Sequence, residues 1–552
     1  MSRLTLSTSL SLALAAMTAC NAHPLKEVQY ESSSNTEVSV IEPNRDVDVL
    51  FVIDNSGSMA EKQALLAENF EAFVAELDLV DANYRIGVVT TDVGNPRDPE
   101  VTVEGGDLRL SSCRDRIDDF NYYGFDAAFA CTDHCQRADA DLEIRPTETG
   151  LVEGIGEAAP RLWLERLYSE TNLGGGVSIA EAFQCFGPQG ITGADTEAPL
   201  EAMRQALAKA SDRGSANFGF LRPHAHLAVV FITDEVDCSF NPDLSEIFRD
   251  NTTFWSDPDK PIPTSAVCWN AGTTCKGPGP VYEGCEPADY DVTGALAGSA
   301  DDAVLFPVDR YVDFLEGLLD SKEGGAKVMV AALAGVPGGF TDGAPIPYAD
   351  AASPDYQAMY GIGPGCTFAD DPTGSSPASP PVRLRELAEA FPIDAQSDFP
   401  GLYSICEDDY SPALRDIAEQ VKAQFTPGCI DACVKDTHPA TARLDTDCVV
   451  FETDLGGRDR VDLEECDFAD GAWTTPDGVD VCFALLTDAG GVTPELDDDM
   501  TLDPLTSAPA CAGTGNVEVM LVRTKASAPG RVIKATCSVE RYEAALLCPD
   551  LD

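Results

Sequence analysis

Basic residues are scarce in this chain of 552 residues. Lysine and arginine together number 36 against 94 aspartates and glutamates, which gives a formal net charge of −58 at pH 7. A field of this sign repels phosphate backbones and anionic lipid surfaces, so neither nucleic acid nor an anionic bilayer surface is an expected partner. The acidic surplus suits attraction of calcium or basic ligands, but we favour solubility in a salty environment as its explanation.

Long apolar runs are missing as well. After the first residues of the chain, no stretch stays apolar for the roughly 20 residues that a membrane-spanning helix needs. The length is nevertheless sufficient to bury a large core and to form two or more domains. We therefore expect a globular protein that is soluble apart from any lipid attached to it.

The motifs of common hydrolases are absent too. The sequence contains no Gly-x-Ser-x-Gly elbow, no His-Glu-x-x-His pair and no Walker-type phosphate loop. A phosphatase of the Asp-x-Asp kind needs a second carboxylate, and Ser56 stands in that place after Asp54. Histidine is rare, and His224-x-His226 precedes an apolar strand, where a structural role is expected. We therefore predict that the protein is not an enzyme.

Residues 1–20 resemble a bacterial lipoprotein signal peptide. A basic start is followed by an apolar stretch over residues 4–17 and by Ala19 directly before Cys20. The resemblance implies export and a diacylglyceryl anchor on Cys20, with the mature protein in the cell envelope at the outer membrane. The alternative is an ordinary signal peptide and an incidental Cys20, which predicts a secreted protein. The polar residues 21–45 are interpreted as a tether.

Cysteine usage points to the same compartment. Setting Cys20 aside leaves 18 of the 19 cysteines, an even number, and exported proteins favour disulfides over zinc sites or free thiols. The pattern Cys131-x-x-His134-Cys135 resembles part of a metal-binding site, but we expect both cysteines to form disulfide bonds. The spacing does not determine the connectivity.

The most informative stretch is residues 47–59. A β-branched apolar run ending at Ile53 predicts a buried strand, and the apolar spacing after Ala60 predicts a helix, so Asp54-x-Ser56-x-Ser58 lies on the loop between them. Ligands bind at such loops in open α/β sheets. One carboxylate and two hydroxyls suit a hard divalent cation that keeps some of its water ligands. An Asp and two Ser are also common turn and capping residues.

This motif after an apolar strand resembles the metal-ion-dependent adhesion site of von Willebrand factor A domains. The resemblance implies two further ligands, a Thr from a second loop and an Asp after a later strand. Asp234 follows the apolar run 227–233 and fills the second role. Thr192 is the preferred candidate for the first, with Thr196 in reserve because it is also placed to cap the next helix. The resemblance covers roughly residues 46–425.

The resemblance also implies a function. Mg²⁺, or another divalent cation such as Ca²⁺ or Mn²⁺, held by Asp54, Ser56, Ser58, Thr192 and Asp234, keeps a coordination position open for an Asp or Glu carboxylate of a protein partner. The expected role is a metal-dependent binding or adhesion module on the bacterial envelope. The alternative is a structural envelope lipoprotein in which the metal only stabilises the loop. Asp92 either contacts the metal ligands without binding the metal itself or, as we favour, is a solvated loop carboxylate.

Strands and helices alternate over residues 46–425, which predicts a doubly wound, mostly parallel α/β sheet. The predicted strands and helices are listed here: strands at 84–91, 227–233, 327–333 and, at the edge, 402–405; helices at 200–210, 308–319, 382–391 and 412–425. Residues 93–189 are interpreted as a disulfide-stapled insertion with a helix near 159–169, and residues 236–300 as a second Cys-rich segment.

Residues 426–552 have a different composition and pattern. They contain eight cysteines and short β-like runs at 448–453, 481–486, 517–523 and 532–539. They predict a small antiparallel domain whose cysteines pair among themselves. The run Asp497-Asp498-Asp499 is chemically able to bind calcium, but a solvated loop is the favoured interpretation.

Overall fold

The structure is a computed structural model. It describes residues 35–39, 44–80, 82–97, 103–146, 159–167, 170–194, 196–323, 325–368, 377–393, 399–425, 428–454, 459–469, 471–489, 493–502, 508–509, 511, 515–523, 531–540 and 548. The predicted signal peptide, its Cys20 and most of the predicted tether lie outside the described residues. We call residues 46–425 the amino-terminal unit and residues 428–548 the C-terminal unit.

A seven-stranded sheet forms the centre of the amino-terminal unit. Its strands in chain order are β1 (Asp46–Ile53), β2 (Asn83–Thr90), β3 (Leu164–Leu167), β4 (Glu170–Thr171), β5 (His226–Ile232), β6 (Val328–Ala334) and β7 (Leu402–Ser404). The spatial order is β7-β6-β5-β1-β2-β3-β4. The first five strands in this order are parallel, and β3 and β4 add an antiparallel hairpin at the edge of β2. The predicted mixed α/β class is confirmed.

Ten α-helices occur in the described residues: α1 (Ala60–Asn69), α2 (Glu71–Asp78), α3 (Phe129–Thr132), α4 (Ile179–Phe186), α5 (Pro199–Ser211), α6 (Ala266–Gly272), α7 (Asp309–Asp320), α8 (Pro354–Tyr360), α9 (Val382–Ala390) and α10 (Ser411–Lys422). Short 3-10 turns span Ile117–Phe120, Asp139–Asp141, Pro242–Phe248, Ala300–Asp302 and Phe340–Asp342. The helices predicted at 200–210, 308–319, 382–391 and 412–425 all form, with ends shifted by a few residues.

Helices cover both faces of the sheet. Val49 and Phe51 of β1 pack with α1, α2, α4 and α10 on one face, where Phe51 meets the rings of Phe70 and Phe73. Leu50 and Val52 pack with α5, α7 and α9 on the other face. Successive side chains of a strand point to opposite faces of the sheet. A strand that is apolar at every position is therefore typical of a sheet that is buried on both faces.

The winding direction reverses between β1 and β5. From β1 the chain proceeds to β2 on one side, whereas β5, β6 and β7 follow one another on the other side. The loops that leave the carboxyl ends of β1 and β5 therefore diverge and open a crevice between them. Asp54 and Asp234 lie on these two loops.

Several smaller sheets occur in addition to the central sheet. Two-stranded sheets pair Asn121–Tyr122 with Phe125–Asp126, Thr273–Lys276 with Gly284–Pro287, Cys366–Thr367 with Pro377–Ala378, and Asp467–Ala469 with Ala472–Thr474. The C-terminal unit also contains a three-stranded sheet of Glu464–Glu465, Val481–Leu486 and Glu518–Arg523. A four-stranded sheet contains Asn35–Ser39, Arg531–Ser538, Val449–Asp454 and Val461–Asp462.

Two of the predicted segments have a different secondary structure from the one expected. Residues 164–167, expected within a helix near 159–169, form strand β3, because Arg85 and Glu165 pair in a buried contact of 2.7 Å that fixes this segment beside β2. The helix of this region is α4 instead. Part of the predicted tether, Asn35–Ser39, is a strand that pairs antiparallel with Arg531–Ser538.

The disulfides follow the boundary between the two units. Five bridges lie in the amino-terminal unit: Cys113–Cys131, Cys135–Cys185, Cys238–Cys268, Cys275–Cys285 and Cys366–Cys406. Four lie in the C-terminal unit: Cys429–Cys511, Cys433–Cys548, Cys448–Cys537 and Cys466–Cys482. The expectation that the eight cysteines after residue 426 pair among themselves is confirmed, as is bridging by Cys131 and Cys135.

Candidate functional site

Asp54 is the buried centre of the crevice. Its backbone N–H donates to the carbonyl of Ile232 on β5 at 2.9 Å, which extends the parallel ladder by one residue. One carboxylate oxygen accepts the Ser56 N–H at 2.8 Å, and the other accepts the Thr233 hydroxyl at 2.6 Å. The side chain is thereby fixed between the two strand ends, with no exposed surface.

Ser56, Ser58 and Asp234 meet beside Asp54. The hydroxyl oxygens of Ser56 and Ser58 are 3.3 Å apart, and the Ser58 hydroxyl donates to Asp234 at 3.1 Å. Four of the five residues predicted as metal ligands are thus brought together at the carboxyl ends of β1 and β5. They offer two carboxylates and two hydroxyls, a donor set of hard oxygens that fits Mg²⁺ or Ca²⁺.

Lys62 is a site residue that the sequence analysis missed. Its ammonium group lies 2.8 Å from Asp234 and donates to the Ser58 carbonyl at 3.0 Å, and its side chain is fully buried. Lys62 lies in the first turn of α1, four residues after Ser58, but Ser58 precedes the helix, so the i, i+4 rule gave no signal for this contact. Lys62 therefore supplies positive charge directly at the acidic cluster.

Burial and mutual repulsion perturb the carboxylates. Burial, followed by the Asp234 charge, raises the pKa of Asp54 to about 7. Burial, followed by the Asp54 charge, raises the pKa of Glu197 well above its ordinary value. The Thr91 hydroxyl donates to one oxygen of Glu197, and the other has no hydrogen-bond partner among the described residues. A cation at this place would relieve the repulsion that raises these pKa values.

Gln63 forms hydrogen bonds with both the Asp54 loop and the second loop, which contains Gln189, Gly190 and Gly193. Its amide nitrogen donates at 2.8 Å to the carbonyls of both Asp54 and Gly190, and its amide oxygen accepts the Gln189 N–H at 2.8 Å. Gly193 then donates its N–H to the Asn55 carbonyl at 2.9 Å. A Cβ at position 193 would lie 2.5 Å from the Asn55 side-chain oxygen, so a larger residue there would require the Asn55 side chain to move.

The two candidate threonines occupy different surroundings. Thr192 is exposed on the wall of a neighbouring cleft and makes no hydrogen bond with Asp54, Ser58 or Asp234 in the described part of the chain. Thr196 is 7% exposed, and its hydroxyl has no hydrogen-bond partner there. A buried hydroxyl without a partner is costly unless a ligand completes it. Thr196 immediately precedes Glu197, whose carboxylate interacts with Asp54.

The neighbouring cleft has a volume of about 260 Å³ and polar walls. Asp92, Glu104 and Asp119 line it, and Arg109 bridges the latter two at 2.6 and 2.8 Å. Asp92 is only 8% exposed, so the favoured interpretation of a solvated loop carboxylate is wrong. Burial, followed by the Glu104 charge, raises the pKa of Asp92 to about 6. Asn55 lines this cleft and also belongs to the Asp54 loop, so the cleft adjoins the candidate site.

His224 and His226 lie at the opposite end of the sheet. His226 begins β5 and is fully buried, with its Nδ1 accepting the Lys327 N–H at 3.0 Å. His224 contacts Asp46 at 2.8 Å near the start of β1. Both positions support the structural role that the sequence predicted for them.

Comparison with known proteins gives little. No family model and no curated protein matches the chain. The solved structures that are similar to it include two of the pilus adhesin SpaC from Lactobacillus rhamnosus GG, one of them in an open conformation. Both are 10% identical, with TM-scores of 0.24 and 0.25, and the matches cover 92% of this chain and 41% and 40% of those chains. The chain thus spans about two fifths of those adhesins, and at these TM-scores the similarity assigns no fold family or function.

Among the residues that the structure describes, no helix combines the length and the apolar character needed to cross a bilayer.

Proposed function

We propose that this protein is a metal-dependent protein-binding module of the von Willebrand factor A type, which acts in adhesion at the bacterial cell envelope. A divalent cation, Mg²⁺ or alternatively Ca²⁺ or Mn²⁺, is held by Asp54, Ser56, Ser58 and Asp234 and keeps one position open for a partner's Asp or Glu carboxylate. The observation that carries the proposal is the convergence of these four side chains where the sheet reverses its winding.

A threonine completes the proposed ligand set. The sequence favoured Thr192, but the buried hydroxyl of Thr196 without a hydrogen-bond partner supports Thr196 instead. Comparing Thr192→Ala with Thr196→Ala by magnesium titration calorimetry decides between them. The variant that weakens magnesium binding identifies the ligand.

In this proposal the site binds a protein partner and does not catalyse a reaction. Asp54 and Asp234 together carry as much negative charge as a divalent cation carries positive charge, but the Lys62 ammonium beside Asp234 offsets part of it. The site with its ion therefore keeps positive charge that a partner carboxylate can balance. No nucleophile or general base is assigned to this site. The proposed location is the envelope, through a lipid on Cys20, or the medium if that cysteine is not lipidated.

Asp54→Ala tests the proposal. We expect the variant to lose magnesium binding in calorimetry and to lose the chelator-sensitive capture of envelope proteins that the unmodified chain shows. Asp119→Asn is the matched control, because it removes a charge from the neighbouring cleft and leaves the four converging side chains intact. Chelator-sensitive capture that is equal in the unmodified chain and Asp54→Ala contradicts the proposal.

A structural role for the metal is the second candidate, favoured by the complete burial of Asp54. It predicts that magnesium raises the melting temperature of the unmodified chain but not that of Asp54→Ala, while no partner is captured in a metal-dependent way.

A further inference from the structure

A second group of carboxylates converges far from the crevice in sequence, in the C-terminal unit. Asp488, Asp498 and Asp499 each offer a carboxylate oxygen, and these oxygens lie within 4.8 Å of one another. The backbone fixes this arrangement: the carbonyl of Asp498 accepts the N–H groups of Thr487 at 2.8 Å and Asp488 at 2.7 Å, and the Met500 N–H donates to the Asp488 carbonyl at 3.0 Å. The favoured sequence-based interpretation, a solvated loop, does not describe Asp498.

Asp498 is fully buried, and only one of its two carboxylate oxygens accepts a hydrogen bond in the described residues. One of its carboxylate oxygens accepts the Thr493 hydroxyl at 2.9 Å, and the other, Oδ2, has no hydrogen-bond partner in the described residues. Arg443 Nε lies 3.6 Å from Oδ2, which is beyond hydrogen-bonding distance. Arg443 therefore gives Oδ2 an ion pair but no hydrogen bond, and it shares its charge with Asp497. One shared arginine does not balance three carboxylates, so Oδ2 remains a suitable place for a cation to bind at this cluster.

The other two carboxylates suit the same ligand. Asp488 is 8% exposed, and its Oδ2 accepts the Thr493 N–H at 2.7 Å. The single hydroxyl proton of Thr493 is shared between this oxygen at 3.1 Å and the Asp498 oxygen at 2.9 Å. Thr493 therefore fastens Asp488 and Asp498 side by side, and like charges held together in this way repel each other. Asp499 is exposed and gives the cluster a side open to solvent.

We propose that Asp488, Asp498 and Asp499 form a Ca²⁺ site that is independent of the crevice and of the function proposed for it. Three carboxylates of mixed exposure give oxygen ligands in an irregular arrangement, which Ca²⁺ accepts and the stricter octahedral Mg²⁺ does not. The bound ion joins the end of strand Val481–Leu486 to the segment Asp498–Asp499 and thereby stabilises the C-terminal unit.

Calcium titration of the full chain tests this site. The assay uses Asp54→Ala as the background, so that the crevice does not contribute, and measures both the heat of CaCl₂ binding and the melting temperature of the C-terminal unit. We expect saturable binding and a rise of several degrees in melting temperature in the background chain. Adding Asp499→Asn, an exposed substitution of the same shape, removes both effects, and Asp498→Asn does the same.

Asp497→Asn is the control, because Asp497 belongs to the same acidic run but is not one of the three clustered carboxylates. It pairs at 3.2 Å with Arg443, the arginine that also lies 3.6 Å from Asp498. This variant retains calcium binding. Calcium binding that is unchanged in Asp499→Asn and Asp498→Asn, or no calcium-dependent heat or stabilisation in the background chain, overturns the proposal. Neither result bears on magnesium binding at Asp54, which is measured in the chain without that substitution.

Discussion

At the scale of single residues, Lys62 explains how so many acidic groups stay buried together. Asp54, Asp234 and Glu197 interact through space, and the Lys62 ammonium lies 2.8 Å from Asp234. Its charge compensates part of theirs when no metal is bound. A buried ion pair adds little net stability, but loss of one partner exposes the full cost of burying the other charge.

We therefore predict that Lys62→Met destabilises the amino-terminal unit in chelator by about 3–5 kcal/mol. Magnesium should recover part of this loss, since the proposed ion supplies the missing positive charge. Urea unfolding with chelator and with MgCl₂ measures both effects. The matched control is Lys209→Met, because the pair of Lys209 with Asp107 is exposed and costs less than about 1 kcal/mol to remove. A loss in chelator as small as that of the control would refute the prediction.

His226 makes stability depend on pH. Burial, followed by the nearby Lys322 charge, lowers its pKa from 6.5 to about 4. Below pH 6.5 the unfolded chain takes up a proton that the folded chain refuses, so stability is complete above pH 6.5 and falls as the pH drops toward 4, by at most about 3 kcal/mol. His226→Gln should remove this contribution, so the stability of the unmodified chain relative to the variant should fall between pH 7 and pH 4 in urea titrations. The exposed neighbour His224→Gln serves as control, and an unchanged slope in His226→Gln would argue against the assignment.

At the scale of elements, the sequence predicted the central sheet well for a physical reason. Strands β1, β2, β5 and β6 are buried on both faces and mostly apolar, because helices cover the sheet on both sides, and such runs are distinctive in a sequence. The convergence of Asp54, Ser56, Ser58 and Asp234 followed from that topology, since parallel strands present their carboxyl ends at one edge. The partners that complete the cluster, Lys62 and Glu197, depend on side-chain packing that no spacing rule conveys.

The β3–β4 edge of the sheet was predicted poorly, also for a physical reason. Residues 159–169 were expected to contain a helix, and tertiary contacts decide between helix and strand. The Arg85–Glu165 pair and the hydrogen bond from the Glu165 N–H to Asn172 at 2.9 Å hold β3 in place. Helix α4, by contrast, carried a readable signal that was passed over, the capping box of Ser178 and Glu181.

At the scale of the whole molecule, the two units owe their stability to different sources. The sheet of the amino-terminal unit is buried between two extended apolar clusters, one on each face. The described part of the C-terminal unit has a cluster of nine buried residues and a smaller one of four. Three of its four bridges instead close long loops, with separations of 82, 115 and 89 residues. Small domains with modest cores depend on such cross-links, each contributing about 2–5 kcal/mol.

We accordingly predict that reduction unfolds the C-terminal unit before the central sheet. Hydrogen exchange with increasing dithiothreitol should show protection lost first in strands Val449–Asp454, Val481–Leu486 and Glu518–Arg523, while β1, β2, β5 and β6 stay protected. The insertions of the amino-terminal unit also carry bridges, but these lie outside the parallel strands, so their loss loosens loops and leaves the sheet paired. Calcium added before the reductant should delay loss of protection in Val481–Leu486 if the proposed Asp498 site is occupied. Simultaneous loss of protection in both units would mean that the sheet itself relies on its disulfides, against the division of stabilising forces argued above.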